Sequence, residues 1–169
     1  MPDASAAQST IHLREPRPGD YGWILMRHGE LYAKEYGWST AFEALVARII
    51  ADFATSHDAA RERCWIAERD GVRVGTVTLV AHPERATVAK LRMLLVEPSA
   101  RGLGVGRLLV DTCTQFAREA GYEAITLWTN SVLQSARRIY EAAGYRLVDE
   151  QPHAMFGPEL MGQTWELTL

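Results

Sequence analysis

Three glycines at alternate positions, Gly102, Gly104 and Gly106, lie between an apolar run and an amphipathic segment. The preceding LRMLLV predicts a strand, and the following RLLVDTCTQF has the apolar spacing of a helix. A helix that begins at a glycine turn presents unpaired N–H groups and a partial positive charge, which suit an anion. The stretch therefore predicts a phosphate site, to which Arg101 and Arg107 add charge.

The glycine pattern does not fit the two commonest nucleotide loops. No Gly-Lys-Ser/Thr follows it, as a nucleoside-triphosphate P-loop requires. A dinucleotide fingerprint needs an acidic residue at the end of the second strand, where this chain reads LWTN. From the glycines alone, another nucleotide-binding module and a purely structural helix start both remain open.

The residues around the turn resemble the GNAT superfamily of N-acetyltransferases. The coenzyme A loop of that family reads Gln/Arg-x-x-Gly-x-Gly/Ala, which residues 101–106 match, and YEAAGY at 140–145 matches a second motif at the expected separation. The stretches HGELYAKEYGW, FEALVARI, LWTN and GQTWEL resemble, more narrowly, the acetyltransferase half of fusions with a MarR-type DNA-binding domain. We expect no room for that DNA-binding domain here, so no gene-regulatory role is carried over.

The resemblance implies acetyl-CoA, or another acyl-CoA, as the donor. We expect its pyrophosphate on the backbone N–H groups of the loop and its pantetheine arm along the preceding strand. The expected cofactor-binding residues are Leu94, Leu95, Val96, Arg101, Gly102, Leu103, Gly104, Val105, Gly106, Arg107 and Asn130.

Acyl transfer to an amine needs a neutral amine, a hydrogen bond to the carbonyl oxygen and a proton for the departing thiolate. By resemblance, Tyr140 is the expected proton donor and the backbone N–H of Leu95 or Val96 the oxyanion donor. A phenol near pKa 10 is a weaker acid than a thiol near 8.5, so Tyr140 must act within a hydrogen bond or have a lowered pKa. Glu30 is the first candidate for a general base, ahead of Glu35 and of a solvent-facing Glu97, and a mechanism without a base stays open.

The acceptor pocket is expected among aromatic and acidic residues, because ring faces and carboxylates suit a cationic amine. The candidates are Tyr32, Glu35, Tyr36, Trp128, His153 and Phe156. For each aromatic residue, a role in core packing remains an alternative. His153 and His28 are isolated histidines without metal-ligand spacing, so no metal site is predicted.

The elements that must position these residues follow from periodicity and turn signals. Asp20 is expected to cap a helix that Gly37 ends, and a second helix is expected from Ser39 or Thr40. Asp-Gly predicts a hairpin within 63–81, and residues 151–162 are expected to form a loop of about a dozen residues. The predicted fold is α/β (α+β): a GNAT fold with a mixed, mostly antiparallel sheet of about seven strands flanked by about four helices. The sheet is expected to splay between the strands at 87–97 and 123–129.

Composition limits the broad class of the protein. The chain of 169 residues has a formal net charge of -3, which disfavours non-specific nucleic-acid binding. Its two cysteines give no disulfide framework, and it shows neither a signal peptide nor a membrane-spanning run, so we expect a cytoplasmic protein. Residues 1–10 are expected to be a disordered tail before a single domain at 11–169, and exposed strand edges in this fold permit a homodimer.

The predicted function is an N-acetyltransferase that moves an acetyl or other acyl group from acetyl-CoA to a primary amine. The acceptor is a small molecule or a peptide, attacking directly in a ternary complex. The alternative is a non-catalytic acyl-CoA sensor or interaction module that binds the donor without turnover.

Overall fold

A computed structural model describes residues 10–169, which form a seven-stranded sheet with helices on both faces. The elements are β1 Ile11–Arg14, α1 Asp20–Tyr36, α2 Thr40–Ser56, β2 Arg63–Arg69, β3 Val72–Ala81, β4 Val88–Val96, α3 Val105–Glu119, β5 Ala124–Asn130, α4 Gln134–Ala142, β6 Arg146–His153 and β7 Leu160–Thr168. The strand order is β1-β2-β3-β4-β5-β7-β6, and only β4 and β5 pair in parallel. The predicted fold class is confirmed.

Each face of the sheet is covered by a different set of helices. One face packs against α3, whose buried stripe includes Leu109 and Cys113. The other face packs against α1 and α2 through Ile24, Val46 and Ile50. Apolar residues recur at helical spacing in these segments, so burying that stripe against the sheet stabilises both layers.

The starts of the first two helices differ in part from the prediction. Gly19 precedes α1 and makes no side-chain cap, whereas Asp20 is the first helical residue, so the prediction of Asp20 as the cap is wrong. The Asp20 carboxylate instead accepts hydrogen bonds from Arg14 and from the backbone N–H of Arg17, both at 2.6 Å. Helix α2 begins at Thr40, one of the two predicted starts, and the Ser39 side chain caps it by accepting from the N–H of Ala41.

The sheet opens between β4 and β5, as predicted. Their pairing ends at Leu91 and Leu127, although both strands continue. On the other edge of β4 the register to β3 shifts, and Met93 has φ 55. A bulge of this kind bends its strand, which separates β4 from β5 beyond Leu91.

The late loop is shorter than predicted. Pro152 pairs with Met161, and His153 pairs with Leu160, so β6 and β7 continue into the segment that was expected to be a loop. Because β6 is an edge strand, it tolerates a proline that cannot donate to the ladder. The connection therefore covers only residues 154–159. The predicted tail lies, except for its last residue, outside the described residues.

Candidate functional site

A cavity of about 410 Å³ opens where the C-terminal half of α1, the end of β4 and the N-termini of α3 and α4 meet. Of the predicted cofactor-binding residues, all except Leu103 and Asn130 line it. The apolar part of the wall that was not predicted consists of Leu31, Ala100, Leu133, Ala136 and Ile139. The glycine turn, the end of β4 and α4 thus share one concave surface, which is the usual form of a ligand site.

The glycine turn forms a cradle at the mouth of this cavity. Gly102 has φ 76 and Gly104 has φ 79, a backbone conformation that favours glycine. A side chain added at either position would meet no atom within 4 Å, so the space above them is open. The N–H of Leu108 is bonded to the carbonyl of Gly104, and the N–H groups of residues 105–107 precede that first helical bond. This open, donor-rich surface fits a pyrophosphate.

Gly106 differs from the other two glycines. A Cβ added there would lie 2.6 Å from Cδ1 of Ile139, which belongs to α4. An added Cβ would therefore push the end of the Ile139 side chain aside. Gly106 lies on the cavity wall, where its predicted cofactor-binding role needs it, and it is also the point at which α3 and α4 come close.

The end of β4 offers backbone groups to the cavity. Beyond Leu91, its β5-facing edge has no strand partner, and Leu94, Leu95 and Val96 line the cavity. An exposed strand edge can bind an extended, amide-containing ligand as an added strand. The pantetheine arm of coenzyme A has that chemistry.

Tyr140 belongs to the buried core rather than to the wall of the cavity. The residue is 4% exposed and is not among those that line the cavity. Burial raises the pKa of Tyr140, and Tyr32, which does line the cavity, raises it further. The alternative of a lowered pKa is therefore wrong, because the buried phenol holds its proton more tightly than in water.

Two of the three glutamates considered for base catalysis, Glu30 and Glu97, are tied to one arginine. Arg27 donates to Glu97 at 2.6 and 2.9 Å and to Glu30 at 2.6 Å. The Glu97 side chain is only 13% exposed, so the prediction that it faces solvent is wrong. Glu30 is 58% exposed and does not line the cavity. The structure thus does not bring Glu30 to the opening between β4 and β5.

The predicted acceptor residues fall into two groups. The first group, Tyr32, Glu35 and Tyr36, lines the cavity from α1. Glu35 accepts a hydrogen bond from Arg101 at 2.6 Å, so an ion pair joins α1 to the glycine turn. Arg101 and Glu35 are brought together across the cavity mouth, although each was assigned to a different ligand.

The second group surrounds the end of β5. The N–H of Met155 donates to Nδ1 of His153, so the opposite nitrogen, Nε2, carries a hydrogen and donates to Asn130 at 2.7 Å. The Trp128 ring lies beside His153, with centroids 5.3 Å apart, and is 38% exposed. Phe156 is 2% exposed. It packs on the rings of Trp38 and Phe42, as the packing alternative expected. None of the predicted residues in this group lines the cavity.

His28 is buried against the aromatic wall of the site. Its Nδ1 lies 2.8 Å from the carbonyl oxygen of Ile24, and its ring stacks on Tyr32. Burial lowers the pKa of His28 from 6.5 to about 4, so the ring is neutral at pH 7. Residues 10–169 contain no group of three or more histidine, cysteine or acidic side chains that could hold a metal ion.

The family is settled by comparison with known proteins. Residues 23–145 match the model of the acetyltransferase (GNAT) family. The chain belongs to this family. Human N-acetylaspartate synthetase is 37% identical over 89 residues, which are 53% of this chain and 29% of that protein. Mycothiol acetyltransferase of Thermomonospora curvata is 33% identical over 81 residues, 48% of this chain and 27% of that protein.

Solved structures of GNAT proteins have the same fold. The yncA protein of Salmonella typhimurium, determined with its cofactor acetyl-CoA, superposes with a TM-score of 0.74 at 18% identity, covering 95% of each chain. A GCN5-related N-acetyltransferase of Kribbella flavida gives 0.72 at 22% identity, covering 94% of this chain and 98% of that one. In contrast, this GNAT chain spans only 44% of the mouse protein named probable N-acetyltransferase family 8 member 5 and 29% of human N-acetylaspartate synthetase.

Proposed function

We propose that this GNAT protein is an N-acetyltransferase that moves an acetyl group from acetyl-CoA to a primary amine of a small molecule or peptide. The amine attacks directly while both substrates are bound. The observation that carries the proposal is one cavity that joins an anion-binding helix N-terminus to an open edge of β4. These are the two features that a pyrophosphate and a pantetheine arm require.

Binding of the donor is divided between backbone and side chains. The N–H groups that start α3 bind the pyrophosphate, with Arg101 and Arg107 supplying positive charge beside it. The backbone of Leu94, Leu95 and Val96 bonds to the pantetheine amides. The yncA structure, which contains acetyl-CoA within the same fold, supports this assignment.

The acetyl thioester supplies a carbonyl that an amine can attack, with a thiolate as the leaving group. The N–H of Leu95 or Val96 holds the carbonyl oxygen as negative charge develops on it. A carbon–nitrogen bond forms, the carbon–sulfur bond breaks, and the sulfur keeps the electron pair. Tyr140 donates a hydrogen bond to that sulfur, and the proton that leaves the amine goes to solvent. Since the pKa of Tyr140 is raised, the phenol acts within this hydrogen bond.

The names of the relatives do not indicate a single class of acceptor. N-acetylaspartate synthetase and mycothiol acetyltransferase are named for quite different products. A structural neighbour from Brucella melitensis, with a TM-score of 0.75 at 16% identity, is named a ribosomal-protein-alanine N-acetyltransferase. Both small molecules and peptides are therefore kept in the proposal.

A sensor of acyl-CoA is the second candidate. It is favoured by the burial of Tyr140 and by the ion pair that occupies Glu35, the one carboxylate on the described part of the cavity wall. A sensor would bind the donor with the same loop but would not turn it over.

The test is release of thiol from acetyl-CoA by the purified protein across a panel of small amines, amino acids and peptides. The proposal expects release that depends on one class of amine and rises with its concentration. Tight coenzyme A binding without thiol release in the presence of any acceptor would contradict the proposed enzyme and support the sensor.

The remaining predictions concern partners and location. Among residues 10–169, no helix is long and apolar enough to cross a membrane. Leu147 and Val148 are exposed on the edge strand β6, a position where a homodimer could add a strand. A cytoplasmic location, the lack of nucleic-acid binding and the resemblance to MarR fusions remain predictions.

A further inference from the structure

Two neighbouring cations on β4, Lys90 and Arg92, take no part in the site described so far. Lys90 pairs with Val80 of β3, and Arg92 pairs with Thr78. Val80 packs against the apolar core formed with α1 and α2. Since paired residues share a face of the sheet, both cations lie on the α1 and α2 side.

These two cations lack a counter-charge. Both are partly buried, and neither forms an ion pair or a side-chain hydrogen bond with any other residue of the described chain. Burial lowers the pKa of both, and Arg92 lowers that of Lys90 further. Asp52 of α2 acts on Arg92 only from beyond ion-pair distance.

Glu166, an acidic residue on the same face of the sheet, is already paired. Glu166 of β7 lies opposite Thr126, which in turn lies opposite Lys90. Arg85 holds the two Glu166 oxygens at 2.9 and 3.1 Å. Two adjacent, half-buried like charges are unfavourable unless an anion neutralises them.

The cations lie beside the opening where the chemistry is proposed. Arg92 follows Leu91, the last residue of β4 that pairs with β5. Leu94 on the cavity wall is two residues farther on, about 7 Å along a strand. Trp128 lies on the same face of β5, two residues after Thr126, and is 38% exposed.

We propose that Lys90 and Arg92 bind a carboxylate of the acceptor, so that the enzyme acetylates small amines that carry a carboxylate, with amino acids as the simplest case. This inference rests on the proposed acetyl transfer. The carboxylate takes no part in the bond changes. It fixes the distance and direction from which the amine nitrogen approaches the carbonyl carbon, and charge-assisted hydrogen bonds favour it over a neutral amide.

The experiment compares proteinogenic L-amino acids with their primary amides as acceptors in the thiol-release assay. Wild-type protein should prefer the acid of a matched pair. In Arg92→Gln and in Lys90→Gln, KM for the acid should rise about tenfold or more with a smaller change in kcat, while KM for the amide stays unchanged. Arg118→Gln, on the exposed side of α3, is the charge-matched control and should behave as wild type.

Several outcomes would overturn the inference. One is equal use of acids and amides by the wild-type protein, and another is a preference for acids that survives in both variants. Weakened coenzyme A binding in Arg92→Gln, with acceptor KM unchanged, would assign the cations to the donor instead.

A second experiment does not need turnover. It is a calorimetric titration of the coenzyme A complex with the same acids and amides. If the protein acetylates none of the acceptors, but the wild type binds the acids and Arg92→Gln does not, the proposed acetyl transfer is wrong and the proposed carboxylate site is supported. If the wild type binds none of the acids, the proposed carboxylate site is wrong.

Discussion

Tyr140 is the side chain on which the proposed chemistry depends most. Its ring is packed into the core, with the ring of Tyr145 at 5.7 Å, so packing fixes where the hydroxyl lies. Because burial raises its pKa, the hydroxyl stays protonated throughout the working range. A fixed, permanently protonated phenol can donate a hydrogen bond to a thiolate but contributes no base.

Tyr140→Phe removes that hydrogen bond and leaves the ring in place. We expect kcat to fall about a hundredfold, as for loss of one hydrogen-bond donor to charge that develops in the transition state, with coenzyme A affinity nearly unchanged. Steady-state kinetics and calorimetry on the same preparation measure the two effects. Tyr145→Phe, another buried tyrosine of the same core cluster, is the control and should keep its kcat. Full activity in Tyr140→Phe would show that Tyr140 serves packing only.

The strands β3 and β4 and the helix α3 approach one another closely at Gly75. Gly75 of β3 pairs with Val96, and an added Cβ would lie 3.0 Å from the carbonyl oxygen of Leu95 and 3.1 Å from Val105. Backbone atoms cannot rotate away as a side-chain end can, so the end of β4 at Leu95 must shift by a few tenths of an ångström. The position of the pantetheine-binding edge is therefore coupled to this close approach.

Gly75→Ala should lower the free energy of unfolding by about 1–3 kcal/mol through overpacking, and it should also weaken coenzyme A binding by displacing Leu95. Urea unfolding and calorimetry test the two parts. Gly22→Ala, in α1 with open space around it, is the control and should leave stability unchanged or raise it. An unchanged coenzyme A affinity in a clearly destabilised Gly75→Ala would separate this contact from the binding edge.

Across the whole molecule, stability is linked to the protonation of His28. The folded pKa is about 4 and the ordinary value 6.5, so between these values the unfolded chain binds more protons. Stability is therefore full above pH 6.5 and falls as the pH is lowered through 6.5 toward 4. The difference amounts to about 3 kcal/mol.

Urea unfolding at a series of pH values between about 4 and 7.5 measures this dependence. His28→Gln, which cannot titrate there, should show a flatter decline on the acid side. His12→Gln changes an exposed histidine and should follow the wild-type curve. Parallel curves for wild type and His28→Gln would mean that other groups carry the acid sensitivity.

Local spacing was enough to predict most strands and helices and a helix that starts at the glycine turn, whereas the splayed sheet and the coenzyme A assignment came from the resemblance to the GNAT superfamily. The glycines, the apolar run before them and the helix after them are neighbours in the chain, so their arrangement follows from propensity. The Arg27–Glu97 pair joins residues 70 positions apart, and the placement of Lys90 and Arg92 depends on which face of β4 is covered. Such contacts follow from packing of the whole sheet, which explains why the roles of Glu30 and Glu97 were not foreseen.

Calorimetric binding of coenzyme A to the wild type, Gly104→Val and Gly121→Val tests the central claim most directly. Gly121→Val is the control. Gly121 follows α3 with φ 83 and open space around it, so a valine there strains the backbone as it does at Gly104. Unlike Gly104, Gly121 does not line the cavity. We predict that the wild type and Gly121→Val bind coenzyme A, that Gly104→Val loses about tenfold or more in affinity, and that ATP binds to none of them. Unaltered coenzyme A affinity in Gly104→Val, or binding of ATP equal to that of coenzyme A, would contradict the assignment of this cavity.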